Sequence, residues 1–153
     1  MERVAIRSAV PADVPRLVTL LEYGALEEGN EDPTALGAYV AALAEIQADR
    51  AGDVLVAEID QVAVGMCQLV IFRHFQRRGG LCAELESMHV HPEFRRKGIG
   101  GQLLEAAVDV ARQAGCSRIQ LTSNLQRGDA HRFYERHEFD ASHLGFKRLI
   151  EKG

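Results

Sequence analysis

The chain has 153 residues, 46% of them apolar and 26% charged, and a net charge of −4 (18 basic against 22 acidic). That balance suits one soluble domain spanning residues 1–153 with its own core, and the acid excess provides no global field for nucleic acid or anionic lipid. No apolar run approaches the ~20 residues that cross a bilayer, and residues 1–7 alternate polar and apolar instead of forming a signal-peptide block, so a cytoplasmic location is expected. The three cysteines, Cys67, Cys82 and Cys116, show no C-x-x-C spacing. Neither a disulfide framework nor a metal site is expected, and Cys67 and Cys82 fall in apolar strand-like runs where a reduced thiol acts as a small hydrophobe.

In chain order, residues 4–10 read as a short strand. Asp13 is a helix cap with Pro15 tolerated in the first turn, and Val14, Leu17, Val18 and Leu21 recur at helical spacing. Asp32-Pro33 restarts a helix whose buried stripe is Leu36, Val40, Leu43 and Ala44. The period then changes. Residues 54–59, 62–72 and 81–91 read as strands, joined by Asp60-Gln61 and by a polar hairpin loop over 73–80, which implies an antiparallel meander. A helix over 98–114 puts Leu103, Ala107, Val110, Ala111 and Ala114 on one face, with Gly115 as its C-terminal cap. A strand over 118–122, a polar loop, a helix over 128–137 and two short strands near 139–142 and 146–151 complete the chain. The order βααβββαβαββ is an α/β class with a mixed sheet and helices on its faces.

The most informative join is the strand ending at Val90, the turn Pro92-Glu93-Phe94, and Arg95-Arg96-Lys97-Gly98-Ile99-Gly100-Gly101 opening a helix. A helix N-terminus exposes backbone N–H groups without intrahelical partners and carries the positive end of the dipole. Glycines admit phosphate oxygens to that backbone and the three basic residues add charge, so the segment is an anion cradle suited to a pyrophosphate. The P-loop spacing is missing, and so is the third glycine of a dinucleotide fingerprint. The alternative is that Gly98, Gly100 and Gly101 serve tight helix–sheet packing behind a solvated basic cluster.

Residues 91–104 resemble the acetyl-CoA motif of the GNAT superfamily of N-acetyltransferases, R-x-x-G-x-G/A after a strand ending V-x-P. Arg95, Gly98 and Gly100 fill its positions, and Val90 and Pro92 supply the strand exit. A second stretch, Ala130-His131-Arg132-Phe133-Tyr134-Glu135-Arg136-His137-Glu138-Phe139, is similar to the family's A-x-x-F/L-Y-E-x-x-G-F segment. The element order covers the whole chain and the motifs roughly residues 84–148. The resemblance implies an acyl-CoA N-acyltransferase-like fold, acetyl-CoA as co-substrate and no metal. One position departs from the pattern: Glu138 stands where the family has glycine, a strain cost if the backbone there needs positive φ.

Transfer of acetyl from a thioester to an amine requires loss of an amine proton, donors for the oxyanion and an acid for the departing thiolate. By resemblance, the backbone of Met88, His89 and Val90 borders the cofactor. Met88 and Val90 pair with the pantetheine amides, and Val90 N–H meets the oxyanion. Leu85 is at an odd position while Met88 and Val90 are at even ones, a parity shift that a bulge requires and that burial on both faces also produces. Tyr134 matches the family tyrosine beside the sulfur, a phenol able to protonate the thiolate; a core aromatic beside Phe133 is the plainer reading. Glu86 is the general-base candidate, with Glu84 its competitor and a solvated strand face the alternative. For the His89 and His91 side chains a structural or solvent-facing role is the simpler reading. His131 and Arg132 fall near the cofactor phosphates or water, and Asn124 matches a loop position that contacts coenzyme A, with an Asx-turn as its alternative.

The acceptor is expected to be a small-molecule amine ahead of a peptide amine, with no nucleic acid and no membrane as partner; a homodimer stays open. Glu27, Glu28, Glu31 and Asp32 suit a cationic amine or simply a solvated loop and cap, while Arg73, Arg77 and Arg78 suit an anionic acceptor. These two sets conflict. A non-catalytic acyl-CoA-binding sensor or regulatory module is the competing function, since it keeps the cradle without needing Tyr134 or Glu86.

Overall fold

A computed structural model describes residues 3–48 and 51–150, and the chain divides into two compact units, residues 1–120 and 121–153. The sheet has the order β1-β2-β3-β4-β5, with β1 Ala5–Ser8, β2 Gly52–Ile59, β3 Val62–Arg73, β4 Leu81–Val90 and β5 Cys116–Leu121, and all of it but Leu121 belongs to the first unit. The pairs β1–β2, β2–β3 and β3–β4 are antiparallel. Asp60 and Gln61, at φ 48° and 66°, form the two-residue left-handed connection that matches the twist of a hairpin. Arg77 and Arg78 are also left-handed, within the single turn α3 Gln76–Gly79 that closes the β3–β4 hairpin.

β5 runs in the same sense as β4. Ser117 Oγ donates to Leu81 O and Gln120 Nε2 to Glu84 Oε2, so contacts advance in step along both strands. The helical crossover α4 Ile99–Gln113 supplies the long connection such a pair needs.

Helices cover both faces of the sheet. Val54, Val56 and Met66 pack in one core cluster with Val14, Leu17, Val18 and Leu20 of α1 Val14–Gly24 and Leu43 of α2 Leu36–Ala48. The neighbouring Gly65 faces the other way, where an added Cβ would lie 3.6 Å from Ile99 of α4 and 3.4 Å from Ala57. Successive strand residues point to opposite faces, so β2 and β3 are buried on both sides and read as continuous apolar runs. α4 buries Ile99, Leu103, Leu104, Ala107 and Ala111. Val110 is only half-buried and Ala114 exposed, because the helix ends at Gln113 and the stripe turns toward Leu104.

Three expectations change. α2 begins at Leu36 instead of Pro33, because the Asp32 carboxylate accepts from Thr34 N (2.9 Å) and holds the chain in an Asx-turn first. Its expected stripe contracts to Leu43, with Leu36 half-buried and Val40 and Ala44 exposed, since α2 meets the cluster along one narrow edge. In the second unit α5 Gly128–Arg136 forms as expected, but the final two strands of the order βααβββαβαββ do not. Residues 139–150 carry no strand, and Phe146, Leu149 and Ile150 are about nine-tenths exposed; alternation without a paired neighbour does not make a strand. Residue 151 lies outside the described residues. No helix among the described residues is long and apolar enough to cross a membrane.

Arg7 ties the first elements together. Its guanidinium donates to Asp13 at 2.7 and 2.9 Å and to Glu58 at 2.7 Å, while Asp13 also accepts from Val10 N at 2.8 Å. Asp13 thus closes the short Pro11–Asp13 turn from its far end; its carboxylate, turned back to Val10 N and Arg7, makes no cap bond to α1, unlike the expected helix cap. The Arg7 hydrogen bonds hold the Asp13 carboxyl below the usual carboxylate range. A depressed folded-state pKa adds stability that is present above the unfolded value near ~3.9 and lost as pH falls through the folded one. Asp13→Asn, which keeps the shape but loses the charge facing Arg7, is expected to cost about 1–2 kcal/mol at pH 7. Its urea midpoint should fall less between pH 5 and pH 3 than that of the unsubstituted protein.

Candidate functional site

The site is organised by an irregularity in β4. Register runs Leu69↔Leu85 and Gln68↔Glu86, then resumes at Met66↔His89 and Gly65↔Val90. Two β4 residues, Ser87 and Met88, therefore oppose the single Cys67, the count of a bulge. Ser87 takes φ 50° to make it. The parity shift around Leu85 in the sequence thus corresponds to a real bulge. On its other side β4 has β5, which ends at Leu121, one step past the Gln120–Glu84 contact. Continuing that step, β5 reaches Leu85 and no further. The strand neighbour runs out where the bulge begins, leaving Glu86 to Val90 beyond it.

Glu86 is exposed and sits opposite Gln68, so the two side chains share a sheet face. Met88, His89 and Val90 are half-buried. The His89 ring lies against the last residue of α1, where a Cβ on Gly24 would come within 1.9 Å of its Nδ1. His91 is buried, packed edge-on between Tyr23 (5.0 Å) and Phe94 (5.8 Å). Its Nδ1 accepts from Glu93 N at 3.3 Å, which places the ring proton on Nε2. Both rings thus pack against protein groups, His89 at the end of α1 and His91 between two aromatic rings. The sequence reading missed Gly24, for which the cue was a glycine on an otherwise apolar helix end.

The segment after β4 forms a concave run of backbone. Arg96 (φ 61°) and Gly98 (φ 77°) are left-handed, and Gly98 caps α4. Alternating handedness of this kind turns successive N–H groups toward one point. The first helical bond runs from Gln102 N to Gly98 O. The N–H groups of Ile99, Gly100 and Gly101 precede it and have no intrahelical acceptor. Ile99 contributes only backbone, its side chain being 2% exposed and anchored in the core.

The three basic residues separate. Arg95 turns back, Nε donating to Val90 O at 3.0 Å. Lys97 Nζ lies 5.0 Å over the Phe94 ring. Arg96 is exposed at the mouth of the cradle. A Cβ on Gly98 would meet nothing within 4 Å, so the backbone is open to an anion.

In the second unit, Asn124 Oδ1 accepts from Gln126 N at 2.9 Å, an Asx-turn, and Asn124 O accepts from Arg127 N at 2.9 Å and meets His131 Nε2 at 2.8 Å. Arg132 is exposed and pairs with Asp129. Tyr134 is half-buried on α5, with Phe133 5.2 Å and Phe139 5.8 Å away, ring to ring. The helix ends in a Schellman motif: Phe139 N donates to Tyr134 O (3.1 Å), Glu138 N to Glu135 O (3.3 Å), and Glu138 takes φ 67°. The Tyr134–Phe139 ring pair is the apolar contact that accompanies this cap.

A model of the acetyltransferase (GNAT) family matches residues 20–139. The aminoalkylphosphonate N-acetyltransferase of Salmonella typhimurium is 38% identical over 87 residues, covering 57% of this chain and 56% of that protein. An uncharacterized N-acetyltransferase of Archaeoglobus fulgidus is 37% identical over 83 residues, 53% of this chain and 55% of that protein. The chain thus spans about half the length of these curated relatives. A transcriptional regulator from Bacillus halodurans C-125 superposes with a TM-score of 0.90 at 35% identity, over 97% of this chain and 100% of that one. A putative acetyltransferase from Agrobacterium tumefaciens shares the fold, with a TM-score of 0.85 at 24% identity over 95% and 99% of the two chains.

The left-handed Glu138 yields a stability test. A side chain in this region costs about 1–2 kcal/mol, partly offset in glycine by its larger unfolded-state entropy. Glu138→Gly is expected to stabilise by roughly 0.5–1 kcal/mol, read as a rise in the thermal midpoint.

Proposed function

The chain belongs to the acetyltransferase (GNAT) family and has its acyl-CoA N-acyltransferase-like α/β fold, and we propose that it moves the acetyl group of acetyl-CoA to the primary amine of a small molecule. The observation that carries this reading is the left-handed cradle opening α4 directly after a strand bulged at Ser87 and Met88. Backbone N–H groups of Ile99, Gly100 and Gly101, with Arg96 and Lys97 at the rim, suit the pyrophosphate of coenzyme A. Met88 and Val90 offer peptide groups to the pantetheine amides along the stretch of β4 beyond β5. The N-acetyltransferase names of the sequence relatives support acyl transfer, and the Salmonella relative's name supports a small-molecule amine.

Acetyl-CoA supplies an activated acyl carbon on a thiol leaving group. Glu86 takes a proton from the ammonium, directly or through one water, so that the nitrogen lone pair attacks the carbonyl carbon. Val90 N–H donates to the oxyanion, a kind of contact worth about 3–4 kcal/mol of barrier. As the C–N bond forms and the C–S bond breaks, Tyr134 passes its phenolic proton to the thiolate; the second proton of the former ammonium leaves the amide nitrogen and restores the phenol, while the one on Glu86 goes to solvent. A phenol with an ordinary pKa near ~10 is matched to that role. The products are the N-acetyl amine and the free thiol.

The Bacillus halodurans structure is named a transcriptional regulator, which supports a regulatory role as the second reading; in this chain that role would keep the cradle for acyl-CoA without turning it over. One substitution separates the two. With acetyl-CoA and a panel of amines, thiol release should be measurable, and Tyr134→Phe should lower kcat by about 10²-fold or more while the acetyl-CoA Kd stays within about twofold by calorimetry. No thiol release from folded, acetyl-CoA-bound protein with any amine sinks catalysis. Separately, Gly98→Val should weaken acetyl-CoA binding at least tenfold with little change in kcat, because the branched side chain resists φ 77° at the cradle.

A further inference from the structure

Between α1, α2 and the sheet lies a cavity of about 170 Å³. Leu17, Leu43, Val54 and Met66 are among its apolar walls, and its polar lining consists of Tyr39, Gln68 and Ser87. The Tyr39 hydroxyl is committed elsewhere, donating to Glu31 at 2.7 Å and accepting from Asp32 N at 2.9 Å. Among the described residues, neither the Gln68 carboxamide nor the Ser87 hydroxyl has a protein hydrogen-bond partner. Two half-buried polar groups at the open side of an otherwise apolar wall are available to hydrogen-bond a ligand that enters it. They adjoin the reacting end: Gln68 is paired across the ladder with Glu86, and Ser87 follows Glu86 on β4.

The lining restricts what can enter. It contains no lysine, arginine or histidine, so a phosphonate or carboxylate there would lose its hydration without a countercharge. Its volume is close to the ~150 Å³ of an apolar cavity that takes benzene. Glu31, joined to Tyr39, adds negative charge on the α2 side, which favours a cationic amine over an anionic one.

We infer that the acceptor is a primary amine bearing a benzene-sized apolar group, which fills this cavity while Gln68 and Ser87 hydrogen-bond the amine end. This inference rests on the acyl-transfer reading and departs from the aminoalkylphosphonate of the Salmonella relative's name. Ala42 lines the cavity from α2 and is exposed, so Ala42→Phe narrows it from the mouth; Ala41→Phe, exposed on the same helix but outside the lining, is the control.

The test compares 2-phenylethylamine, ethylamine and 2-aminoethylphosphonate in the thiol-release assay, with folding checked by circular dichroism. Expected is a kcat/KM for 2-phenylethylamine at least tenfold above that for 2-aminoethylphosphonate. Ala42→Phe should cut it tenfold or more through KM, leaving ethylamine and the Ala41→Phe control unchanged. Gln68→Leu, which does not depend on the fold tolerating a new ring, should raise KM for 2-phenylethylamine at least fivefold. Equal or better use of the phosphonate, or indifference of 2-phenylethylamine to both variants, overturns the inference while leaving acyl transfer standing. Absence of turnover with every amine overturns the acyl-transfer reading and the acceptor assignment with it. Calorimetry of 2-phenylethylamine with the CoA-loaded protein then judges the cavity alone: binding lost in Ala42→Phe upholds it as a ligand site, and no binding removes it.

Discussion

The left-handed turn at Ser87 is the constraint on which the rest of the site depends. A non-glycine residue at φ 50° costs of order 1–3 kcal/mol and persists only where its surroundings over-determine it. Here β3 pairs with β4 on both sides of the bulge, and the cluster of Tyr23, His91 and Phe94 fixes the strand's exit. The extra residue has two effects. It places Glu86 opposite Gln68 and then rotates the strand, so that Met66 meets His89 and Gly65 meets Val90.

Close approach then carries this geometry into the cradle. Gly65 lies where a Cβ would stand 3.3 Å from His89 O, and Gly24 lies under the His89 ring. Ile99 is buried against Gly65 on the opposite face of the sheet from α1 and α2, so its own N–H and those of the two glycines after it stand on a fixed base. An anion site made of backbone has no side-chain freedom to lose; its precision comes from the sheet beneath it.

Much of this was legible in the sequence where one local signal sufficed. The glycine-rich helix start and the Asx-turn at Asn124 each follow from a residue type and its immediate neighbours, whereas the positive φ at Glu138 was signalled only by the glycine that the resembled family has there. The parity shift around Leu85 pointed to the bulge but not to Ser87 as its left-handed residue, since nothing in a serine announces that conformation. Residues 139–142 and 146–150 read as short strands yet form none, because pairing is decided by a neighbour and not by the segment itself. The exposure of Val40 and Ala44 likewise depended on how squarely α2 meets the core. Gln68 carried the most overlooked signal: one carboxamide within an apolar strand, Val62–Arg73, with its significance set by a cavity three elements away in sequence.

Burial of the cysteines has a chemical consequence for a chain proposed to handle a thioester. Thiolates exchange with thioesters faster than amines attack them at equal basicity, so a reactive cysteine near the acyl donor would acetylate the protein itself. Cys67 sits beside Gln68 in β3, wholly buried, and burial pushes its thiol up to about 12. At neutral pH only about one molecule in 10⁵ carries that thiolate. Cys82 is buried as well, and burial raises the thiol of the half-buried Cys116. The same packing that builds the sheet thereby holds the protein's own thiols back from competing with an incoming amine for the acyl group.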